Sequence, residues 1–202
     1  DKKEQEELSV SYRRDYSLLQ NRYIPQDSYS FTIIAYPIPE IGEDFEDIFE
    51  ETVKVNTLDM EEYKQIQQHL IDALDLGEKV HVTGRGKNHT DIWIRLHELT
   101  EPAKQTNFEN CLADVNIPVG EVFTSPKLTG TNGVLHVTQV YLNELRYENL
   151  EFSFTDGMVT SYSCSNYEKE EEGRKYIKEN ILHNRETLPI GEFAIGTNTT
   201  AY

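Results

Sequence analysis

Two alternating apolar and polar runs on either side of Asp156-Gly157 constrain the fold of this chain more than any other feature. Residues 150–155 and 158–162 alternate with a period of two, which places successive side chains on opposite faces of a strand. An Asp-Gly pair between two such runs favours the tight turn of a β-hairpin. We therefore predict an antiparallel hairpin within a strand-rich second part of the chain.

Other segments carry the same kinds of periodicity. Apolar residues at helical spacing, or alternating at strand spacing, predict helices over 4–20, 60–74 and 167–182 and strands over 31–36, 79–83, 91–96 and 133–140. The acidic run 40–51 also has apolar positions compatible with one helical face. The fold class is accordingly α/β (α+β), with a partial N-terminal α/β domain at 1–78 and a strand-rich domain at 79–202.

The charge balance excludes several kinds of partner. Thirty-six acidic residues against 19 basic ones give a net charge of -17, which repels nucleic-acid phosphates and anionic lipid surfaces. No apolar run approaches the roughly 20 residues of a membrane span. Cys111 and Cys164 lie far apart and fit no metal-ligand spacing, so a reduced, cytoplasmic protein is the simplest expectation.

Two glutamates follow similar turns about seventy residues apart. Glu121 ends the segment Pro118-Val-Gly-Glu, and Glu192 ends Pro189-Ile-Gly-Glu. Proline restricts one backbone angle and glycine admits angles that other residues avoid. We therefore expect each carboxylate to be held at the start of an extended apolar run.

Three interpretations of this pair are open from the residues alone. Glutamates suit hard or borderline cations, so Glu121 and Glu192 are candidate metal ligands. Two carboxylates could also act as the acid and base of a glycosidase, for which the carboxyl groups must lie ~5 to 9.5 Å apart. In the third interpretation both carboxylates are structural and cap turn amides.

Other reactive residues give little support for a second site. None of the six histidines has a recognised ligand spacing, and each is expected to be a surface or packed residue: His69, His81, His89, His97, His136 and His183. The serines lack a Gly-x-Ser-x-Gly elbow. Gly84 and Gly86 have no third glycine and no following helix pattern, so a plain β-turn is predicted there.

Three segments together resemble a known enzyme family. They are NIPVGEVFTSP at 116–126, LPIGEFAIGTN at 188–198 and FTIIAYPIP at 31–39. The chain is similar to the leucyl aminopeptidase family of the aminopeptidase T, aminopeptidase S and PepS type, which are thermophilic metalloaminopeptidases. The order of the segments also matches, and the likeness covers nearly all of the 202 residues.

The resemblance implies a metal-dependent aminopeptidase, a hydrolase that releases N-terminal amino acids from peptides. It also implies that the protein forms a homodimer. Glu121 and Glu192 match the first two ligands of a centre with two divalent ions, zinc, cobalt or magnesium. Which glutamate bridges the ions or acts as base stays open. The remaining ligands, two histidines and an aspartate, and an assisting tyrosine are expected beyond Tyr202, so we expect an internal fragment that is inactive alone. The rival expectation is a non-catalytic binding module with structural glutamates.

Overall fold

The computed structural model describes residues 2–24, 28, 33–34, 36–112, 116–117, 120–142 and 145–200. These residues form a mixed α+β structure, which confirms the predicted fold class. They fall into two compact units, the first drawn from Asp1–Met60, Cys111–Val119 and Asn198–Tyr202 and the second from Glu61–Asn110 and Gly120–Thr197. The domain boundaries expected from the sequence, 1–78 and 79–202, stay predictions.

The first unit contains two of the described helices and a short parallel strand pair. Helix α1 spans Lys2–Tyr23 and confirms the helix predicted over 4–20. Strand β1 (Ile33–Ile34) pairs in parallel with β5 (Asn116–Ile117). The strand predicted over 31–36 is thus seen at two positions, and residues 31, 32 and 35 lie outside the described part of the chain.

Helix α2 (Phe45–Asn56) begins within the acidic run 40–51, in the same unit. Acidic residues in its first turn and Lys54 in its last turn suit the partial charges at the two ends of a helix. Phe49 contacts the rings of Phe45 and Tyr36 at centroid distances of 5.7 and 5.4 Å. Phe45 and Phe49 of the predicted helical face therefore pack against each other, whereas Ile48 is 37 % exposed.

The second unit is built around a five-stranded antiparallel sheet in the order β2-β3-β7-β8-β9. Its strands are β2 (Lys79–Thr83), β3 (Asp91–Arg95), β7 (Lys127–Leu142), β8 (Leu145–Thr155) and β9 (Met158–Ser163). Asp156 and Gly157 form the β8–β9 turn with φ of 47° and 71°, the left-handed values that such a turn requires. The predicted hairpin is confirmed, and Gly84 and Gly86 lie in the β2–β3 connection, with Gly86 in its turn.

A three-stranded sheet, β10-β6-β4, and helix α3 (Met60–Asp75) belong to the same unit except for Cys111 and Met60. Its strands are β4 (Glu109–Cys111), β6 (Glu121–Thr124) and β10 (Phe193–Gly196). Ile71 of α3 packs in a core cluster with Leu96, Phe108 and Val122. The predicted stripe on α3 is right at Leu70, Ile71 and Leu74, but Ile66 is 50 % exposed.

Helix α4 (Glu170–Asn180) closes a separate core over β8 and lies within the helix predicted over 167–182. Ile177 and Leu182 pack there with Tyr147 and Leu150. Burial is the largest cause that raises the pKa of Tyr147 to about 12, and Tyr176 adds to it. No helix in the described part of the chain has both the length and the apolar character needed to cross a bilayer.

Candidate metal centre

Glu121 stands at the first position of β6, directly after a glycine with an unusual backbone angle. Gly120 is buried and has φ of 103°, a conformation that side chains other than glycine rarely adopt. The Gly120 carbonyl accepts a hydrogen bond from the Thr197 N–H at 2.8 Å. This hydrogen bond extends the pairing of β6 with β10 by one position beyond Glu121 and Gly196. Pro118 and Val119 of the same motif lie outside the described residues.

Glu192 stands directly before β10, in a segment held along the edge of β9. The Ile190 N–H donates to the Gly157 carbonyl at 2.7 Å, and Pro189 forms an isolated bridge with Met158. The Glu192 side chain is exposed. Both glutamates therefore lie at the start of a strand, as their turns predict.

The register of β6 and β10 places the two glutamates on the same face of this strand pair. Gly196 lies opposite Glu121, and Ala194 lies opposite Phe123. Glu192 lies just outside β10, but it is exposed like Ala194 while Phe193 between them is half-buried, so we infer that Glu192 continues the face of Ala194. The opposite face carries Val122, Phe193 and Ile195, which pack in the core with α3.

The same register puts the glutamates towards opposite ends of the ladder. Four strand positions separate Glu121 from the point facing Glu192, which corresponds to about 13 Å along the strands. Phe123 and Ala194 occupy the face between them. The two carboxylates therefore share a surface without lying side by side.

A buried glutamine anchors the end of this ladder to α3. Gln67 is fully buried, its Oε1 accepts from the Thr197 hydroxyl at 2.7 Å, and its Nε2 donates to Asn110 Oδ1 at 2.6 Å. Asn110 Nδ2 in turn donates to the Lys64 carbonyl at 3.1 Å. The helix thereby fixes β10 and β4, the two neighbours of the strand that carries Glu121.

The proposed cap role has no support at Glu192. Within the described ranges, no backbone or side-chain group donates a hydrogen bond to the Glu192 carboxylate, although a cap would require one. Its exposure leaves the carboxylate oxygens open to a cation.

The residues present fit a metal centre in part. Carboxylates are suitable ligands for divalent ions, and Glu121 and Glu192 project from one face. Among the described residues, no group of three or more histidine, cysteine, aspartate or glutamate side chains is placed to hold an ion. The described residues therefore do not make up a metal centre by themselves.

Two histidines that the sequence patterns leave separate lie together elsewhere in the second unit. The backbone N–H of His89 donates to His136 Nδ1 at 3.2 Å, and the two rings are 4.9 Å apart. Their separation of 47 residues gives no spacing signal, because the contact depends on how β3 pairs with β7. The expectation of a packed residue is confirmed for His136, which is 4 % exposed.

Comparison with known proteins gives two matches. The family described as thermophilic metalloprotease (M29) matches residues 3–201. The solved structure of wild-type AmpT from Thermus thermophilus is similar with a TM-score of 0.56 at 19 % identity, covering 79 % of this chain. The chain spans 39 % of that structure, and the likeness at this identity concerns the fold. No curated protein matches this chain.

Proposed function

Because the chain belongs to the thermophilic metalloprotease (M29) family, we propose that it is part of an aminopeptidase that releases N-terminal amino acids from peptides. The family match supports metalloprotease chemistry and a divalent metal cofactor. It is more specific than the resemblance to leucyl aminopeptidases, and it favours neither a binding module nor a glycosidase. The aminopeptidase activity is proposed from the motifs around Glu121 and Glu192.

One observation carries the proposal for the site: the register that puts Glu121 and Glu192 on one face of the β6–β10 ladder. In the proposed enzyme these carboxylates hold two divalent ions, with zinc, cobalt and magnesium as the candidates. Such ions lower the pKa of a bound water and polarise a scissile carbonyl. Glu121 and Glu192 would offset part of the charge of the ions, while the Thr197–Gln67 contact holds the ladder in place.

Further ligands belong to this proposal because two carboxylates leave most positions of two ions to water. Two histidines and an aspartate, which the family resemblance implies, would complete the set. Peptides are the proposed substrates, and a cytoplasmic homodimer is the proposed state of the whole enzyme.

Metal binding tests the role of the glutamates independently of activity. We expect Glu121→Gln and Glu192→Gln to weaken binding of Zn²⁺ or Co²⁺ at least about tenfold in calorimetric titration of the full-length protein. Urea unfolding of Glu192→Gln should change little, because this exposed side chain has no hydrogen-bond partner among the described residues. The matched control is Glu109→Gln, an exposed glutamate of β4 in the same sheet, which should bind metal like the unmodified protein.

Activity tests the reaction class. The full-length protein should hydrolyse an aminoacyl chromogenic substrate, lose that activity with a chelator and regain it with metal. Activity that resists the chelator would refute the metallopeptidase proposal. A large loss of stability in Glu121→Gln with metal affinity unchanged would instead assign that carboxylate a structural role.

A further inference from the structure

An open surface cleft of about 610 Å³ lies on the five-stranded sheet. It is lined by the β2–β3 loop, by β7 and β8, and by the end of β9 and the residues after it. The groups relevant to binding are Lys87, His136, Glu151 and Ser163. Ligand sites are concave surfaces with a few converging polar groups, and this cleft has that character.

His136 offers a hydrogen-bond donor from an otherwise buried ring. Its Nδ1 accepts the His89 N–H, so the proton of the neutral imidazole resides on Nε2. No described group accepts from Nε2. In the described part of the chain, the only fully buried side-chain polar atoms without a partner are Asn56 Oδ1 and the Tyr147 hydroxyl. Because His136 Nε2 has no partner and is not among them, it retains some contact with solvent. It opens to the cleft that His136 lines.

Three of these side chains form a row across adjacent strands. His136 of β7 lies opposite Glu151 of β8, and Glu151 lies opposite Ser163 of β9. Directly opposite residues share a face, with Cβ atoms roughly 4.5–5.5 Å apart. The row therefore places a donor, a carboxylate and a hydroxyl side by side on the floor of the cleft.

The charged groups of the cleft are not neutralised by each other or by neighbours. Among the described residues, neither Lys87 nor Glu151 forms an ion pair or hydrogen bond through its side chain, and the Ser163 hydroxyl has no partner either. Lys87 is exposed in the loop, whereas Glu151 and Ser163 are half-buried. One cation and one anion are thus available together to a ligand.

We propose that this cleft binds a small zwitterion, specifically a free α-amino acid. The ligand carboxylate accepts hydrogen bonds from the Lys87 ammonium and His136 Nε2–H. The ligand ammonium donates to the Glu151 carboxylate and the Ser163 hydroxyl. Both charges of the amino acid are matched, and hydrogen bonds to charged groups are the stronger ones.

Other ligand classes fit less well. A metal ion needs several protein ligands, and no group of three or more suitable side chains occurs in the described part of the chain. A dianion such as phosphate would meet the Glu151 carboxylate and a chain of net charge -17. A simple amine would leave Lys87 and His136 Nε2 unmatched.

Glycine is the simplest probe, since it carries both charges and no side chain. We expect glycine to shift the imidazole resonances of His136 saturably in ¹H–¹³C spectra of the 202-residue chain in metal-free buffer. Acetate and methylammonium each carry one of the two charges and should bind at least about tenfold more weakly. Equal affinity for acetate and glycine, or no saturable shift with glycine, would overturn the proposal.

Two variants test the assignment of the charges. Lys87→Met and Glu151→Gln should each weaken glycine binding about tenfold or more. The matched controls are Lys104→Met and Glu171→Gln, which make the same changes outside the cleft and should leave binding unaltered. Unchanged binding in both cleft variants would refute the site. The ligand series on the unmodified chain decides the question without any variant, and metal-free conditions keep the result separate from the proposed metallopeptidase activity.

Discussion

Replacement of Gln67 by leucine should measure how much the hydrogen bonds of one buried side-chain amide stabilise the β6–β10 ladder. Gln67 is fully buried and connects α3 to Thr197 after β10 and to Asn110 in β4. Leucine has a similar volume and keeps the apolar contacts with little cavity. Gln67→Leu therefore tests the two hydrogen bonds and not the packing.

The expected loss of stability follows from the hydrogen-bonding groups that the substitution leaves without a partner. Each hydrogen bond contributes about 1 kcal/mol net, and a partner left unsatisfied costs up to about 3 kcal/mol when no water replaces it. Thr197 and Asn110 are half-buried, so water reaches part of each group. We expect Gln67→Leu to lower the free energy of unfolding by about 2–3 kcal/mol and Thr197→Val by about 1–2 kcal/mol.

The two substitutions remove the same hydrogen bond, so their effects should not add. The double variant should be more stable than the sum of the single losses predicts, by about 1 kcal/mol. Urea unfolding of the four proteins at one temperature measures this coupling, provided that the dependence on urea stays the same. Gln65→Leu, at an exposed position of α3, is the control and should change stability by less than about 0.5 kcal/mol. Additive losses, or a stable Gln67→Leu protein, would refute the role of the amide.

Two further predictions concern the other core and the hairpin turn. Because the pKa of Tyr147 is raised to about 12 by burial and by Tyr176, its stabilisation is complete below pH ~10 and is lost as the pH rises through about 12. In urea unfolding between pH ~10 and about 12, Tyr147→Phe should keep more of its neutral-pH stability than the unmodified protein does. Equal losses of stability in the two proteins would contradict this. Gly157→Ala should unfold at clearly lower urea concentration than Gly86→Ala: both have positive φ, but only at Gly157 would the new Cβ lie 2.7 Å from Leu128 Cα. Equal urea midpoints for the two variants would show that backbone strain alone determines the loss of stability.

Local chemistry made much of the second unit predictable. The Asp156-Gly157 turn depends on residues next to each other, and the stripe on α3 depends on positions three and four apart. Ile66 shows the limit of this kind of prediction. It fits the apolar stripe but is half exposed, because the adjacent Gln67 faces the interior and meets Thr197 there, 130 residues later in the chain.

Contacts between distant strands were not accessible to the same arguments. Strand β4 has three residues and no recognisable alternation, and its place beside β6 follows from pairing across the sheet. The contact of His89 with His136 likewise requires the β3–β7 register, because it extends the pairing of Asp91 with Val134 by two positions. Spacing along the chain carries no information about which strands pair.

The common face of Glu121 and Glu192 follows from the apolar residues that alternate with them. Val122 on one strand and Phe193 and Ile195 on the other must face the core together, since a shift by one position would bury the opposite set of side chains. Burial of that set would remove Glu192 from solvent and expose Phe193 and Ile195. The hydrophobic pattern therefore selects the register, and the register in turn assigns both carboxylates to the solvent-facing side of the ladder.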